Sequence, residues 1–271
     1  MSYPLTALIS DLHANAPALE TALADARRRG ARRYVCLGDV IGYGASPRHN
    51  LDLVMRLCVP DPDPPAEFGE LAPGFCLLGN HEHALLHSAE DFNPKARAAL
   101  DWTREALNSA DDRRQSHAYW NFLGELEPSL DDGVAMFAHG SPRDPVREYI
   151  VPRDIQDEAK TRANFARLTQ RVCFVGHSHV PAVYYADHRL YRPRGTEGPF
   201  DLGVDPAERV IINVGAIGQP RDGDPRLSYV LFDGRHVTFV RLEYDVEAAA
   251  AAIRAVPELP GYLADRLYAG R

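Results

Sequence analysis

The sequence is poor in lysine, in patterned cysteine and in long apolar runs. Of its 30 basic residues only Lys95 and Lys160 are lysines, a bias that by itself carries no function. Acidic residues number 38, so the net charge is -8, which argues against a protein that grips nucleic acid by its phosphates. The four cysteines, Cys36, Cys58, Cys76 and Cys173, form no C-x-x-C pair and no disulfide framework, as expected in a reducing compartment. No run of about 18 apolar residues could span a membrane. The N-terminal stretch reaches Asp11 without a basic region, so no secretory signal is expected. These absences predict a cytoplasmic protein with no membrane partner and no stable hold on nucleic acid; they leave its oligomeric state open. What is present is apolar material. With 45% hydrophobic and 25% charged residues, the 271-residue chain can bury a sizeable core in one large domain or two small ones.

Short apolar runs at Leu5 to Ile9, Tyr34 to Leu37, Phe75 to Leu78, Val134 to Ala138, Arg171 to Val175 and Val210 to Val214 lack polar alternation and read as strands buried on both faces. Helical patterns at Pro17 to Arg29 and Asn50 to Leu57 lie between the early ones, which argues for βαβ units and parallel pairing. From about Val172 the pattern predicts strands joined by turns, at Ala182 to Tyr185, Arg189 to Tyr191, Tyr229 to Phe232 and Val237 to Leu242. These form an antiparallel or mixed sheet, and the alanine run Ala248 to Ala252 suits a C-terminal helix. Val59 to Pro73 carries five prolines and predicts an irregular surface loop. Asn93-Pro94 opens a helical pair inserted at about residues 91–128. A further helix is expected from a capping Asp154 to Leu168.

The chemistry lies at the strand ends. Five apolar runs are followed by Ser10-Asp11-Leu12-His13, Gly38-Asp39, Gly79-Asn80-His81-Glu82, His139-Gly140 and Gly176-His177-Ser178-His179. In an α/β sheet the crevice at the carboxyl ends of the strands binds ligands, so these groups should converge. Asp11 and His13, like His177 and His179, are two apart; on extended backbone each pair would point one way and hold one ion. Seven N and O donors (Asp11, His13, Asp39, Asn80, His139, His177 and His179) are too many for one tetrahedral ion. They suit two five- or six-coordinate ions sharing a carboxylate, and the lack of cysteine among them disfavours structural zinc. The expectation is a dinuclear catalytic centre of two divalent metal ions, Mn2+ first, with iron, nickel, cobalt or zinc also admitted by such ligands.

In this order the blocks D-x-H, G-D, G-N-H-E, H and G-H-x-H resemble the calcineurin-like metallophosphoesterases, and the resemblance runs from residue 11 to residue 179. It implies an α/β fold, the four-layer α/β/β/α sandwich of two mixed sheets, as one domain over 1–271 with the insertion near the site mouth. It also implies that Asp11, His13, Asp39 and His179 hold one ion, that Asp39, Asn80, His139 and His177 hold the other, and that Asp39 bridges them. His81 then contacts the phosphate and helps protonate the leaving oxygen, while a metal-bridging hydroxide attacks phosphorus. The protein phosphatase branch reads G-D-x-V-D-R-G at the second block, but here the stretch is Gly38-Asp39-Val40-Ile41-Gly42-Tyr43-Gly44, without the phosphate-clamping arginine. It looks more like the small bacterial and archaeal phosphodiesterase-like branch. Tyr43, Arg143 and Arg221 are candidate substrate-binding residues, the two arginines replacing the lost charge. The expected activity is a phosphodiesterase acting on a nucleotide or other small phosphodiester. The alternatives are a phosphomonoesterase or protein Ser/Thr phosphatase, a dinucleoside polyphosphate hydrolase, and a non-catalytic protein-binding scaffold, which would be marked by lost ligands. Glu82 either orients a ligand or caps a helix; Trp102, Tyr119 and Trp120 form helix core or part of a lid.

Overall fold

The computed structural model describes residues 3–110, 112–205 and 207–271; the first two residues of the N-terminal reading and residue 111 of the expected insertion lie outside these. Strands β1 (Thr6–Ile9), β2 (Arg33–Cys36) and β3 (Phe75–Cys76) alternate with helices α1 (Ala16–Arg28) and α2 (Pro47–Leu57). The three strands pair in parallel, Leu8 beside Val35 and Cys36 beside Cys76, because each crossover is a helix. Helices α3 (Asn80–Leu86), α4 (Pro94–Asn108) and α5 (Arg113–Gly124) follow, then β4 (Ser129–Asp131), β5 (Met136–Ala138), α6 (Glu158–Phe165) and β6 (Val172–Val175). The last third is β7 (Ala182–Tyr185), β8 (Leu190–Tyr191), β9 (Glu197–Asp201), β10 (Val210–Asn213), β11 (Leu227–Phe232) and β12 (His236–Leu242), closed by α7 (Val246–Arg254) and α8 (Tyr262–Ala269).

Two six-stranded mixed sheets result, in the orders β3-β2-β1-β11-β12-β9 and β4-β5-β6-β10-β7-β8. Alternate residues of each strand serve different layers. Leu8, Val35, Phe137, Phe174, Ile212 and Phe239 fill the space between the sheets, while their neighbours Ala7, Ile9 and Tyr34 meet Leu19 and Leu23 of α1. On the far side Met136, Cys173 and Ile211 pack under Phe165 of α6 and Leu168. This is the four-layer α/β/β/α arrangement, and its central strands are mainly apolar because both of their faces are covered.

Several elements differ from the sequence reading. The helix expected from Asp154 is split. Asp154 Oδ2 accepts from Val151 N–H and closes a 3-10 turn over Pro152–Gln156. Asp157 then caps α6, its Oδ1 accepting from Lys160 N–H, and the helix stops at Phe165. β4 and β9 were not foreseen. Both are edge strands, and β9 carries Gly198 and Pro199, which read as turn signals but are tolerated at an edge. Within the proline-rich loop, Ala66–Phe68 forms one 3-10 turn that puts Phe68 edge-on to Tyr34. Tyr119 of α5 is buried with its Oη donating to Asp52 Oδ1 at 2.8 Å, and Trp120 Nε1 donates to Asn108.

Candidate metal centre

Asp11 and His13 follow β1, Asp39 follows β2, Asn80 opens α3 after β3, His139 follows β5, and His177 and His179 follow β6. The site therefore draws on the carboxyl ends of strands in both sheets. All four histidines and both aspartates are at least 98% buried. Two donor sets emerge, Asp11, His13, Asp39 and His179 in one, and Asp39, His139 and His177 in the other. Asn80 joins the second, its Oδ1 3.1 Å from His139 Nε2.

The neighbours in each His-x-His or Asp-x-His pair do not sit on extended backbone, as the spacing had suggested. Asp11, His13, Asp39, His177 and His179 all have positive φ, between 45° and 63°. Non-glycine residues enter that left-handed region at an energetic cost, and such strain concentrates at functional sites. Its effect on His177 and His179 is to send them to different donor sets.

Hydrogen bonds fix which ring atom faces the site. The Nδ1 atoms of His13, His139 and His179 lie 3.1, 3.0 and 2.5 Å from the carbonyls of Ile41, Leu37 and Gln219. A carbonyl only accepts, so each Nδ1 carries a proton and each Nε2 is the ring atom turned inward. His177 is reversed, its Nε2 donating to Arg147 O at 3.2 Å and its Nδ1 facing His139 Nε2 at 3.1 Å. Asp11 Oδ2 accepts from His177 N–H, whereas its buried Oδ1 has no hydrogen-bond partner among the described residues. That oxygen is 3.1 Å from His179 Nε2, itself 3.2 Å from His13 Nε2. Electron-pair donors so close, with no proton between them, are a donor set that fits a cation.

Asp39 stands between the sets. Its Oδ1 accepts from His81 N–H at 2.9 Å, and its Oδ2 lies 3.4 Å from His139 Nε2 and 3.7 Å from His13 Nε2. Burial opposes the Asp39 charge, but His139 and His81 outweigh it and hold the carboxyl well below the usual carboxylate range. Burial also opposes the Asp11 charge, and His179 holds that carboxyl down. Burial pulls His13 well below its ordinary value, His177 to about 3, and His179 down with help from the Arg221 charge. His139 alone goes up, to about 9, because Asp39 overrides its burial.

Glu82 does both things the sequence left open. Its Oε2 accepts from Asp39 N–H at 2.8 Å and from Gly79 N–H at 3.0 Å, and its Oε1 from Ile41 N–H at 3.2 Å. It caps α3 and ties the Asp39 loop to the turn that carries Asn80 and His81. Burial first, and then the Asp39 charge, raise its carboxyl to about 7.

His81 packs edge-on to His13, Tyr43 and Phe92 at centroid distances of 4.8, 4.5 and 4.9 Å, and its Nδ1 is buried without a hydrogen-bond partner among the described residues. Gly42, at φ +86°, has to be glycine here, since a Cβ would collide with the His81 ring. Beside the second donor set opens a cavity of about 290 Å³ lined by Tyr43, Asn80, Phe92, Arg147, Tyr149 and His177 among others. Tyr149 stacks on His177 at 3.6 Å between centroids and is 45% exposed, so it forms a wall of the site. Trp102, Tyr119 and Trp120 do not line it.

Of the substrate-binding candidates, Tyr43 and Arg221 lie at the site and Arg143 does not. Arg143 forks onto Glu148, Nε donating to both carboxylate oxygens and Nη2 to Oε1. Arg221 sits 5.8 Å from the Tyr43 ring, its Nε and Nη2 donating to Gln219 Oε1. The sequence reading missed Tyr149 and Arg147, which lie in an irregular stretch before Pro152, and Arg266, which reaches the Tyr43 ring from α8 at 5.8 Å. No local motif marks any of the three.

Two facing mixed sheets whose strand ends converge on buried, electron-donating histidines and aspartates define an α/β protein with a His/Asp metal-site cluster. Residues 5–236 match the calcineurin-like phosphoesterase superfamily domain, and the chain belongs to that superfamily, whose members are metal-dependent. An uncharacterized protein of Methanocaldococcus jannaschii is 31% identical over 98% of each chain. The crystal structure of a metallophosphoesterase from Sphaerobacter thermophilus is 36% identical, covers 99% of this chain and 100% of its own, and superposes with a TM-score of 0.80. A hypothetical protein from Pyrococcus horikoshii shares the fold at a TM-score of 0.72 and 19% identity, over 98% of both chains.

Proposed function

We propose that the protein is a dinuclear-metal phosphodiesterase acting on a nucleotide or other small phosphodiester, with manganese as its working ion. The observation that carries this reading is Asp39, whose Oδ1 is held by the His81 amide while Oδ2 faces both donor sets. Asp11, His13, Asp39 and His179 would hold one ion, and Asp39, Asn80, His139 and His177 the other. When bound, two such ions supply Lewis-acid polarisation of the phosphoryl group and a nucleophile available near neutral pH.

The chain's own groups do the rest. Glu82 and the His81 amide fix the Asp39 loop, so that neither donor set has to reorganise when substrate arrives. Burial holds His81 down to about 4, so its ring is neutral in the free protein. An anionic phosphate against that ring raises its affinity for a proton, which His81 takes from solvent and delivers to the leaving oxygen as the ester P–O bond breaks, while the attacking water gives one proton back to solvent as its oxygen bonds to phosphorus. Arg221, whose charge already acts on His81 and His179, supplies the positive charge missing from the Gly38 to Gly44 stretch. Tyr43, Phe92 and Tyr149 make an aromatic wall beside the second donor set, which suits the second ester arm of a diester.

The test is hydrolysis of p-nitrophenyl phosphate and bis-p-nitrophenyl phosphate by chelator-stripped protein, with and without added Mn2+. Faster Mn2+-dependent release from the diester is expected. Preference for the monoester would move the protein to the phosphatases, and silence on both would return it to the scaffold reading.

A further inference from the structure

A second cavity, of about 550 Å³, adjoins the first at Tyr43 and Tyr149, and its lining includes Lys95, Arg221, Tyr262 and Arg266. Three cations share this pocket, and no aspartate or glutamate lines it, in a protein whose net charge is -8. The cations are spaced along two tyrosine rings. Arg221 and Arg266 each stand 5.8 Å from the centre of Tyr43, and Arg266 and Lys95 stand 5.6 and 3.7 Å from the centre of Tyr262. The row leads away from the metal centre: Arg221 N–H donates to the His179 carbonyl at 3.3 Å, Arg266 shares the Tyr43 ring with Arg221, and Lys95 lies beyond it on the Tyr262 ring.

Among the described residues no aspartate or glutamate side chain is paired with this row. The Arg221 guanidinium donates to the amide oxygen of Gln219 and lies against the hydroxyls of Tyr43 and Tyr149, and Arg266 Nε donates to the main-chain oxygen of Arg271, with no hydrogen bond from its Nη atoms among the described residues. Burial, and then the Arg221 charge, weigh against the charge on Arg266. Like charges brought together in a partly buried pocket cost stability unless an anion answers them. The first turn of the 15-residue helix α4 borders the same space and adds the positive end of its dipole.

We propose that this pocket is a second anion site which receives a further phosphate of the substrate, so that the substrate is a small phosphodiester bearing an additional phosphate group. This rests on the phosphoesterase reading above, and it extends that reading by naming what lies beyond the scissile group. Arg221 spans the two subsites, Arg266 and Lys95 belong to the outer one, and the tyrosines hold the guanidinium planes in place by cation–π contact.

The test compares thymidine 5′-(p-nitrophenyl phosphate) with the same compound carrying a 3′-phosphate, which share a leaving group and differ by one phosphate. With Mn2+-loaded wild-type protein, kcat/KM is expected to be at least about tenfold higher for the 3′-phosphorylated form, and that ratio to fall about tenfold in R266Q and in K95Q. Lys95 is exposed, so K95Q reads the pocket without disturbing the fold. A wild-type ratio at or below one, or a ratio unchanged in both variants, overturns the proposal. The second readout is calorimetric binding of inorganic pyrophosphate to the chelator-treated protein, expected to weaken severalfold in either variant. If no substrate is hydrolysed but pyrophosphate binds in this way, the phosphodiesterase reading fails and the anion site stands; if wild-type protein shows no pyrophosphate binding at about 10 mM, the anion site fails.

Discussion

Replacing Glu82 should separate the architecture of the site from its chemistry, because this residue touches no candidate ligand side chain yet holds two ligand loops together. Its carboxylate accepts three backbone N–H donors, from Asp39, Gly79 and Ile41, in a position with no solvent exposure. Glu82→Ala leaves all three without partners. At about 1–3 kcal/mol for each buried donor left unsatisfied, and with some relief from local relaxation, the expected loss is about 3–5 kcal/mol of folding stability. Glu82→Gln should be gentler. The amide oxygen can take the Asp39 and Gly79 donors together, but its NH2 then faces the Ile41 N–H, donor against donor, at a cost of about 1–3 kcal/mol. Both variants loosen the Asp39 loop, so metal affinity should fall about 10–100-fold. The assays are urea unfolding of the chelator-treated chain and calorimetric titration with Mn2+. A Glu82→Ala protein within about 1 kcal/mol of wild type, with undiminished metal binding, would refute the argument that these three bonds build the site.

Asp39→Asn should lose bound metal from both donor sets and lower activity by about 10²-fold or more, since one oxygen faces both; elemental analysis beside kcat checks it, and wild-type metal content would sink the bridging role. His81→Ala should keep its metal and lose about 10²-fold in kcat, as removal of an acid catalyst does; an unchanged kcat would reduce His81 to the group that anchors Asp39 through its amide. Away from the site, Asp25 accepts from Tyr229 Oη at 2.7 Å, Arg29 Nε at 2.6 Å and Arg28 Nη2 at 2.9 Å. Burial opposes its charge, but the bond from Tyr229 and those from the arginines lower its pKa. The stabilisation is therefore present above the unfolded value near pH 4 and lost as pH falls through the lower folded value. Asp25→Asn should cost about 1–2 kcal/mol at pH 7, discounted for its solvent-facing arginines, a cost that should shrink as pH falls through the lowered folded value; unfolding curves across the acid range check the convergence.

The ligand set was legible because each donor follows an apolar run that had to be a buried strand, and strand ends in α/β sheets converge. Asp11, Asp39, Asn80, His139 and His177 all stand at such ends. What failed was the local geometry. Spacing of two suggests extended backbone, but positive φ at His177 and His179 turns the two side chains to separate sets; the spacing alone does not encode that split, which came only from the family resemblance. Arg143 looked free because its partner Glu148 lies five residues on, outside any helical or strand register. Arg266 was invisible for the opposite reason. It meets Tyr43 only because α8 packs back across the site mouth, a contact between segments more than 200 residues apart. The Asp154 helix was misplaced because two aspartates three residues apart both make capping bonds, and only Asp157 opens a helix long enough to bury Phe165.

The left-handed backbone under five of the donor side chains bears on how this lineage can change. Residues 11, 13, 39, 177 and 179 hold left-handed conformations, at about 1 kcal/mol each. A duplicated copy released from that duty would relax fastest at these positions, drifting to glycine or asparagine, which tolerate positive φ. Such descendants should be recognisable by a double mark: higher melting temperatures than their working sisters, and glycines where the histidines stood. In this chain all five positions carry Asp or His.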